Sequence, residues 1–442
     1  MLLRGRLWRS PDFLKLWGGQ SVSELGTAIT KLALPTAAIT LVNAGPFEVG
    51  ALAAIQTIAY PVLGMVAGVW ADRLRRRPIL IGCDVARMLV LASIPAAYLL
   101  GQLTMAQLYA VACVVGVCSV FFDVTYQSFL PGLVGRRDLM EGNGKLQATR
   151  SLAQVAGPAA AGLLIQAFRA ATAIAADSAT FLVSVLTLLT VRAREPEPEP
   201  AEDGRAGFWR ELGEGLGTVF RNATLRLMAG ANTTSNFGGA IVEAVFLIYA
   251  YRMLGLSAGE VGWLYAVAAV AAMIGAASAG RLARALGLGP LLAVAALFVR
   301  ASYLAIPVLA YVQAPVYVLG AILVLSRFSE LSYNVNQLSL RQSLVPHRLQ
   351  GRSSAVVRTL AWGAIPIGSM LGGVLGMRVG VVPTIVIGAA VSMVAALWIL
   401  AGPVRLREQP TTAEAAADAP SPPQLPPATD PMPPSGSSVR PG

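Results

Sequence analysis

The sequence predicts an all-α integral membrane protein with twelve transmembrane helices in two pseudo-symmetric six-helix bundles. Three observations carry that prediction. Hydrophobic residues make up 55% of the 442 and charged residues only 13%, where soluble domains carry about 25% charged. The apolar residues gather into runs of about 22, long enough at ~1.5 Å per residue to cross a hydrocarbon core of ~30 Å. Finally, the second half of the chain repeats the first at an offset of roughly 210 residues.

Mean hydropathy is +0.63, that of a polytopic membrane protein. The net charge of +11 sits in short loops between apolar runs, so it reads as a topology signal and not as a nucleic-acid surface. Cys83, Cys113 and Cys118 all lie inside apolar runs and imply no disulfide framework. The single His347 cannot build a histidine metal site, and no metal or cofactor is predicted. Met1 to Arg9 is short and basic, and the apolar stretch after it is too long for a signal peptide, so it is expected to stay attached.

The spans follow in order. The first covers about Phe13–Leu41, the second Val49–Trp70, the third Ile79–Leu100 and the fourth Met105–Phe129. A loop with Arg136, Arg137 and Lys145 leads to the fifth, Leu146–Phe168, and the sixth is Thr172–Val191. Residues 1–191 form the N-terminal bundle. Residues 192–226 are a charged linker containing Glu195-Pro196-Glu197-Pro198-Glu199-Pro200, with a short amphipathic helix over Phe208–Phe220. Residues 227–402 form the second bundle, with spans at Leu227–Met253, Val261–Leu282, Pro290–Tyr311, Pro315–Leu340, Ser353–Met377 and Val381–Ala401. Residues 403–442 are rich in Pro, Ala and Ser and read as a disordered tail.

Basic residues cluster on one side: Arg4, Arg6 and Arg9, the loops after spans two and four, the linker, then Arg281, Arg284, Arg341, Arg348 and Arg352. The other side shows only Arg169, Arg252 and Arg378. The positive-inside rule therefore predicts a multi-pass protein of the cell membrane with both termini cytoplasmic.

The repeat is specific. Gly68, Ala71, Leu74 and Pro78 recur as Gly280, Ala283, Leu286 and Pro290. Gly26, Ala28 and Ile29 recur as Gly238, Ala240 and Ile241. Asp123 and Tyr126 recur as Glu330 and Tyr333, and Arg150 as Arg358.

Between spans two and three lies Gly68-Val69-Trp70-Ala71-Asp72-Arg73-Leu74-Arg75-Arg76-Arg77-Pro78. At Gly68, Asp72, Arg73, Arg76 and Arg77 it resembles the G-x-x-x-D-R-x-G-R-R/K loop of the major facilitator superfamily, with Arg75 where the family has glycine. The second copy has lost the pair: Asp72 and Arg73 correspond to Arg284 and Ala285. A pure topology signal would not need that asymmetry, whereas a gate could use it. The resemblance implies two six-helix bundles working by alternating access. It assigns a cytoplasmic latch to Asp72, Arg73, Asp123 and Arg150, with Glu330 and Arg358 as its second-half counterpart.

Charges within the spans cost at least ~2.5–3.5 kcal/mol each at the bilayer centre unless they pair or face water. Asp84 and Arg87, three residues apart on one helical face, read as a structural ion pair. Glu24 and Lys31 lie on one stripe of the first span, and Glu243 occupies the position in the seventh span equivalent to Lys31. Lys31 and Glu243 are either a strut between the halves or a proton-responsive pair. Arg300 and Arg327 complete the charged set of the central cavity.

Gly157, Pro158 and Gly162 in the fifth span partly match the G-P-x-x-G-G element of proton-driven exporters, with ordinary small-residue packing as the alternative. Three further stretches resemble the macrolide-efflux and enterobactin-exporter branch: Phe13 to Gln20, Phe121 to Gln127, and Glu141-Gly142-Asn143. The resemblance implies a monomeric exporter of a bulky, mainly apolar small molecule. A proton gradient would be its energy source and the lipid bilayer its surroundings. Uptake by the same fold remains the alternative. A membrane enzyme such as a prenyltransferase needs clustered aspartates for a metal-bound diphosphate, and Asp72, Asp84, Asp123 and Asp177 are dispersed.

Overall fold

A computed structural model describes residues 6–192, 205–311, 315–346 and 349–402. The Glu-Pro run of the linker, His347 and the tail from 403 lie outside the described residues, as do the side chains of Asp72 and Arg73. The first half contains α1 (Pro11–Leu41), α2 (Pro46–Arg73), α3 (Arg76–Leu99), α4 (Met105–Gly135), α5 (Arg137–Phe168) and α6 (Ala170–Thr190). A linker helix, α7 (Arg205–Arg221), precedes the second half. That half contains α8 (Ala223–Ile248), α9 (Ala258–Leu286), α10 (Leu288–Ala305), α11 (Pro315–Leu344), α12 (Gln350–Arg378) and α13 (Val381–Leu400).

The helices begin where the sequence supplies caps. Ser10 Oγ accepts from Phe13 N at 3.4 Å and Asn222 Oδ1 from Leu225 N at 3.0 Å, while Ser257 and Glu260 form a reciprocal capping box. The predicted loop after the fourth span is instead helical on both sides of one break, Gly135 at φ +72°. Polar residues there extend the helices beyond the hydrocarbon, where hydropathy alone cannot follow them. Beyond α8 a π-helical turn, Tyr249–Met253, carries Tyr251 and Arg252.

Among the described residues, ten helices are long and apolar enough to cross a membrane. The two membrane helices outside that set are α1 and α8, the first of each half, which hold Glu24, Lys31 and Glu243. Both are packed most heavily against the last helix of their own half, α1 on α6 and α8 on α13. Small residues allow the close approach: Gly26 of α1 lies against Thr180 and Asp177, and Gly238 of α8 against Gly388 and Ser392.

The halves meet through α2 with α12 and through α5 with α9. A side-chain Cβ at Gly50 would stand 2.6 Å from the Gly373 Cα, and one at Gly162 would stand 2.7 Å from the Ala258 carbonyl. Both contacts lie at the face opposite Arg6 and Gly402, the first and last described residues. One hydrophobic cluster crosses between the halves there, joining Leu34, Ile39 and Leu52 to Val245, Ile248 and Leu264. At the other face, where Arg6 and Gly402 lie, each half keeps a separate cluster.

The linker helix α7 is docked on α12. Val219 is buried against Val356 and Val357, Glu214 forms an ion pair with Arg352, and Leu216 and Phe220 remain exposed.

Candidate transport cavity

Each half carries a charged cavity in the part of its helices nearer the termini. In the first half α1, α4 and α5 enclose about 460 Å³. Glu24 enters from α1, Asp123 from α4 and Arg150 from α5. Arg150 donates to Glu24 Oε1 through Nε at 3.0 Å and Nη2 at 2.8 Å, and its Nη2 stands 3.7 Å from Asp123 Oδ1. Gln20 donates to Glu24 at 3.2 Å, and the Tyr60 hydroxyl of α2 to Asp123 at 2.5 Å. Two carboxylates thus share one guanidinium, and the trio carries a net −1 when fully ionised. The central-cavity residue Glu24 and the latch residues Asp123 and Arg150, assigned separate roles by the sequence, form a single cluster.

In the second half α8, α10, α11 and Ile365 of α12 enclose about 290 Å³. Glu330 pairs with Arg327, one turn away, at 2.8 Å and not with the expected Arg358, which is exposed. The i, i+3 spacing within α11 makes the local pair the shorter reach. Glu243 accepts from the Tyr265 hydroxyl at 3.0 Å. It makes no ion pair with Lys31, and both side chains are exposed. The strut reading of Lys31 and Glu243 is therefore corrected: α1 and α8 scarcely touch. Arg300 is buried, and donates to the Ser392 carbonyl at 2.8 Å and the Ala296 carbonyl at 2.6 Å.

Asp84 and Arg87 form the expected buried pair, with the Ser184 hydroxyl donating to Asp84 at 2.6 Å. The Arg87 guanidinium lies between the rings of Phe122 and Phe181, 4.5 and 4.4 Å from their centroids. Of the loop residues, Arg77 donates to the Leu188 carbonyl at 2.9 Å and the Leu189 carbonyl at 2.7 Å. It thereby caps the C-terminus of α6 within its own half. Arg76 begins α3, and Gly68 has open space beside it. Gly157 packs on Ala28 of α1, and Gly162 on α9 of the other half. Pro158 also borders that seam: a Cβ at Gly262 would stand 2.5 Å from its carbonyl oxygen. The helix-five element therefore sits where the halves join.

Among the described residues, the hydrogen bonds that join the halves all involve Tyr251 or Arg252. The Tyr251 and Thr36 hydroxyls are 3.0 Å apart, and Arg252 Nη2 donates to Asn43 Oδ1 and the Ala44 carbonyl at 2.8 Å each. Sequence reasoning missed this clasp, along with Tyr60 and Tyr265. Its one signal was Arg252 itself, a cation on the face that is otherwise poor in them.

Two like-folded helical halves, clasped at one face and each holding a charged cavity, define a membrane transporter. The chain belongs to the Major Facilitator Superfamily, whose family model matches residues 16–366. It is 26% identical over 419 residues to the enterobactin exporter EntS of Citrobacter koseri, covering 90% of this chain and 94% of that one. The EntS of Shigella boydii is also 26% identical, over 383 residues, covering 83% and 85%. Among solved structures, a bacterial homologue of the iron transporter ferroportin in an inward-facing state superposes with a TM-score of 0.72. That likeness has 18% identity and covers 91% of this chain and 100% of the other, and it speaks for the fold. Family and relatives alike are transporters, which sets the membrane-enzyme alternative aside.

Proposed function

We propose that the protein is a proton-coupled exporter of a bulky, mainly apolar small molecule, working by alternating access in the cell membrane. The clasp at the face opposite the termini is the observation that carries this reading. The basic loops make the terminal face cytoplasmic, so the halves are closed outward and separate inward, where an exporter loads. The exporter names of the relatives support the direction. Glu24, Asp123 and Glu243 are the candidate proton carriers, with Arg150, Lys31, Arg300 and Arg327 as the cations around them. Closing the cytoplasmic side falls to Asp72, Arg73 and Arg76 with the Asp123–Arg150 cluster. No cofactor beyond the proton gradient is needed, and one copy of the chain holds both halves.

Everted membrane vesicles supply the test. A panel of macrolides and apolar fluorescent dyes is expected to accumulate inside them when the lumen is acidified, and to leak back when the gradient is collapsed. Accumulation that ignores the gradient, or that occurs only in right-side-out vesicles, would overturn the reading.

A further inference from the structure

The two halves treat the arginine of their third helix differently. In the first half Arg87 is neutralised and covered: Asp84 pairs with it, Ser184 holds Asp84, and two phenylalanine rings flank it, although its buried Nε has no acceptor among the described residues. In the second half Arg300 lies at nearly the same place, between α10 and α13. The register that aligns Pro78 with Pro290 places Ala296 opposite Asp84. The register that aligns Asp123 with Glu330 places Ser329 opposite Phe122. The cation has been kept, while its carboxylate and one covering ring have been replaced by small residues.

What remains around Arg300 is incomplete. It has no ion pair among the described residues, since Glu330 is held by Arg327 and Glu243 by Tyr265. Nε and Nη1 are bound to main-chain carbonyls, which fix the guanidinium without neutralising it. Nη2 has no acceptor among the described residues, and the side chain forms part of the cavity wall. Beside it Ser392, 0% exposed, has a hydroxyl with no partner among the described residues, whereas the hydroxyl of Ser184 in the first half has Asp84. A buried arginine without a carboxylate and an orphaned hydroxyl nearby are what a removed counterion leaves behind.

We propose that Arg300 anchors the transported molecule, and that this molecule bears an oxyanion, a carboxylate or phenolate, on an otherwise apolar body. The oxyanion takes the place that Asp84 fills in the other half. Tyr303 and Tyr333, lining the same cavity, offer hydroxyl donors and apolar ring faces to the rest of the molecule. The proposal rests on the transporter reading, but its test needs no transport, so a failed vesicle experiment and a failed binding experiment are told apart.

The test is equilibrium binding to the purified full-length chain in detergent, with two probes of one shape: 2-naphthoate and its neutral amide, 2-naphthamide. Naphthoate is expected to bind at least ~10-fold more tightly, the worth of one charge-assisted contact. Arg300→Gln is expected to erase the difference. So is Ala296→Asp, which places a carboxylate one turn from Arg300 and keeps the pair neutral if the glutamine variant fails to fold. Equal binding of the two probes, no binding of naphthoate up to its solubility limit, or a preference that survives both variants would each overturn the proposal. A third ligand, dioleoyl phosphatidylglycerol, separates a carried molecule from a resident lipid. If it displaces naphthoate at lower concentration than naphthoate itself requires, the oxyanion site belongs to lipid and the proposal falls.

Discussion

Arg150 and Glu24 are joined by two hydrogen bonds to one carboxylate oxygen, at 2.8 and 3.0 Å, while Asp123 stands 3.7 Å from the same guanidinium. The two acids are therefore not equivalent. Glu24→Gln is expected to cost about 1.5–3 kcal/mol, the range for hydrogen bonds to charged groups. Asp123→Asn keeps an acceptor for Tyr60 and is expected to cost under about 1 kcal/mol, as a half-exposed pair does. Thermal unfolding of the two variants in detergent checks the order, and the reverse order would show that Arg150 serves Asp123 first.

The clasp of Arg252 on Asn43 and Ala44 ties the two halves together at one face, and in the proposed cycle it favours the state closed there. Arg252→Ala removes about 1.5–3 kcal/mol of charged hydrogen bonding, which shifts the balance on the order of 10-fold or more. A cysteine at Thr40 is then expected to react faster with an impermeant maleimide added outside intact cells. An unchanged labelling rate would mean that the glycine seams alone hold that face shut.

Asp84 and Arg87 are a fixture of the first half. Asp84→Ala strands a buried guanidinium, expected to cost about 3–5 kcal/mol, whereas Asp84→Leu with Arg87→Met is expected to recover most of the loss. Yield of folded protein by size exclusion measures both. If the double variant is as unstable as the single one, the pair is doing more than neutralising itself.

Lys31 and Glu243 lie apart, so each can be changed without stranding the other. Lys31→Met is expected to leave stability within about 0.5 kcal/mol, as for exposed positions. Glu243→Gln is expected to leave the fold intact and to weaken the dependence of transport on the proton gradient. Vesicle transport at several external pH values tests this. Full gradient dependence in Glu243→Gln would move the proton to Glu24 or Asp123.

Much of the architecture was legible because bilayer thickness imposes one length scale on every span and the repeat states the symmetry twice. The break at Gly135 was not, because a polar helix emerging from the membrane carries no hydropathy signal. The Asp84–Arg87 pair could be read from i, i+3 spacing within one helix. Glu24–Arg150 could not, since its partners are 126 residues apart and only packing brings α1 to α5. Lys31–Glu243 failed for the complementary reason: equivalent positions in a repeat are related by symmetry, and symmetry does not require contact. Arg358 failed similarly, because Arg327 offered Glu330 a partner within its own helix.

The charge-bearing α1 and α8, each held chiefly by the last helix of its half, bear on how the chain is made. Both leave the ribosome before the helices that will shelter them, and neither is among the helices long and apolar enough to cross a membrane on composition alone. Their permanent neighbours, α6 and α13, arrive about 150 residues later. Each half is therefore completed by the helix synthesised last within it, and until then its cavity-lining charges have only part of their final surroundings. A ribosome stalled before α6 would present a first half whose opening helix is still waiting for its seat.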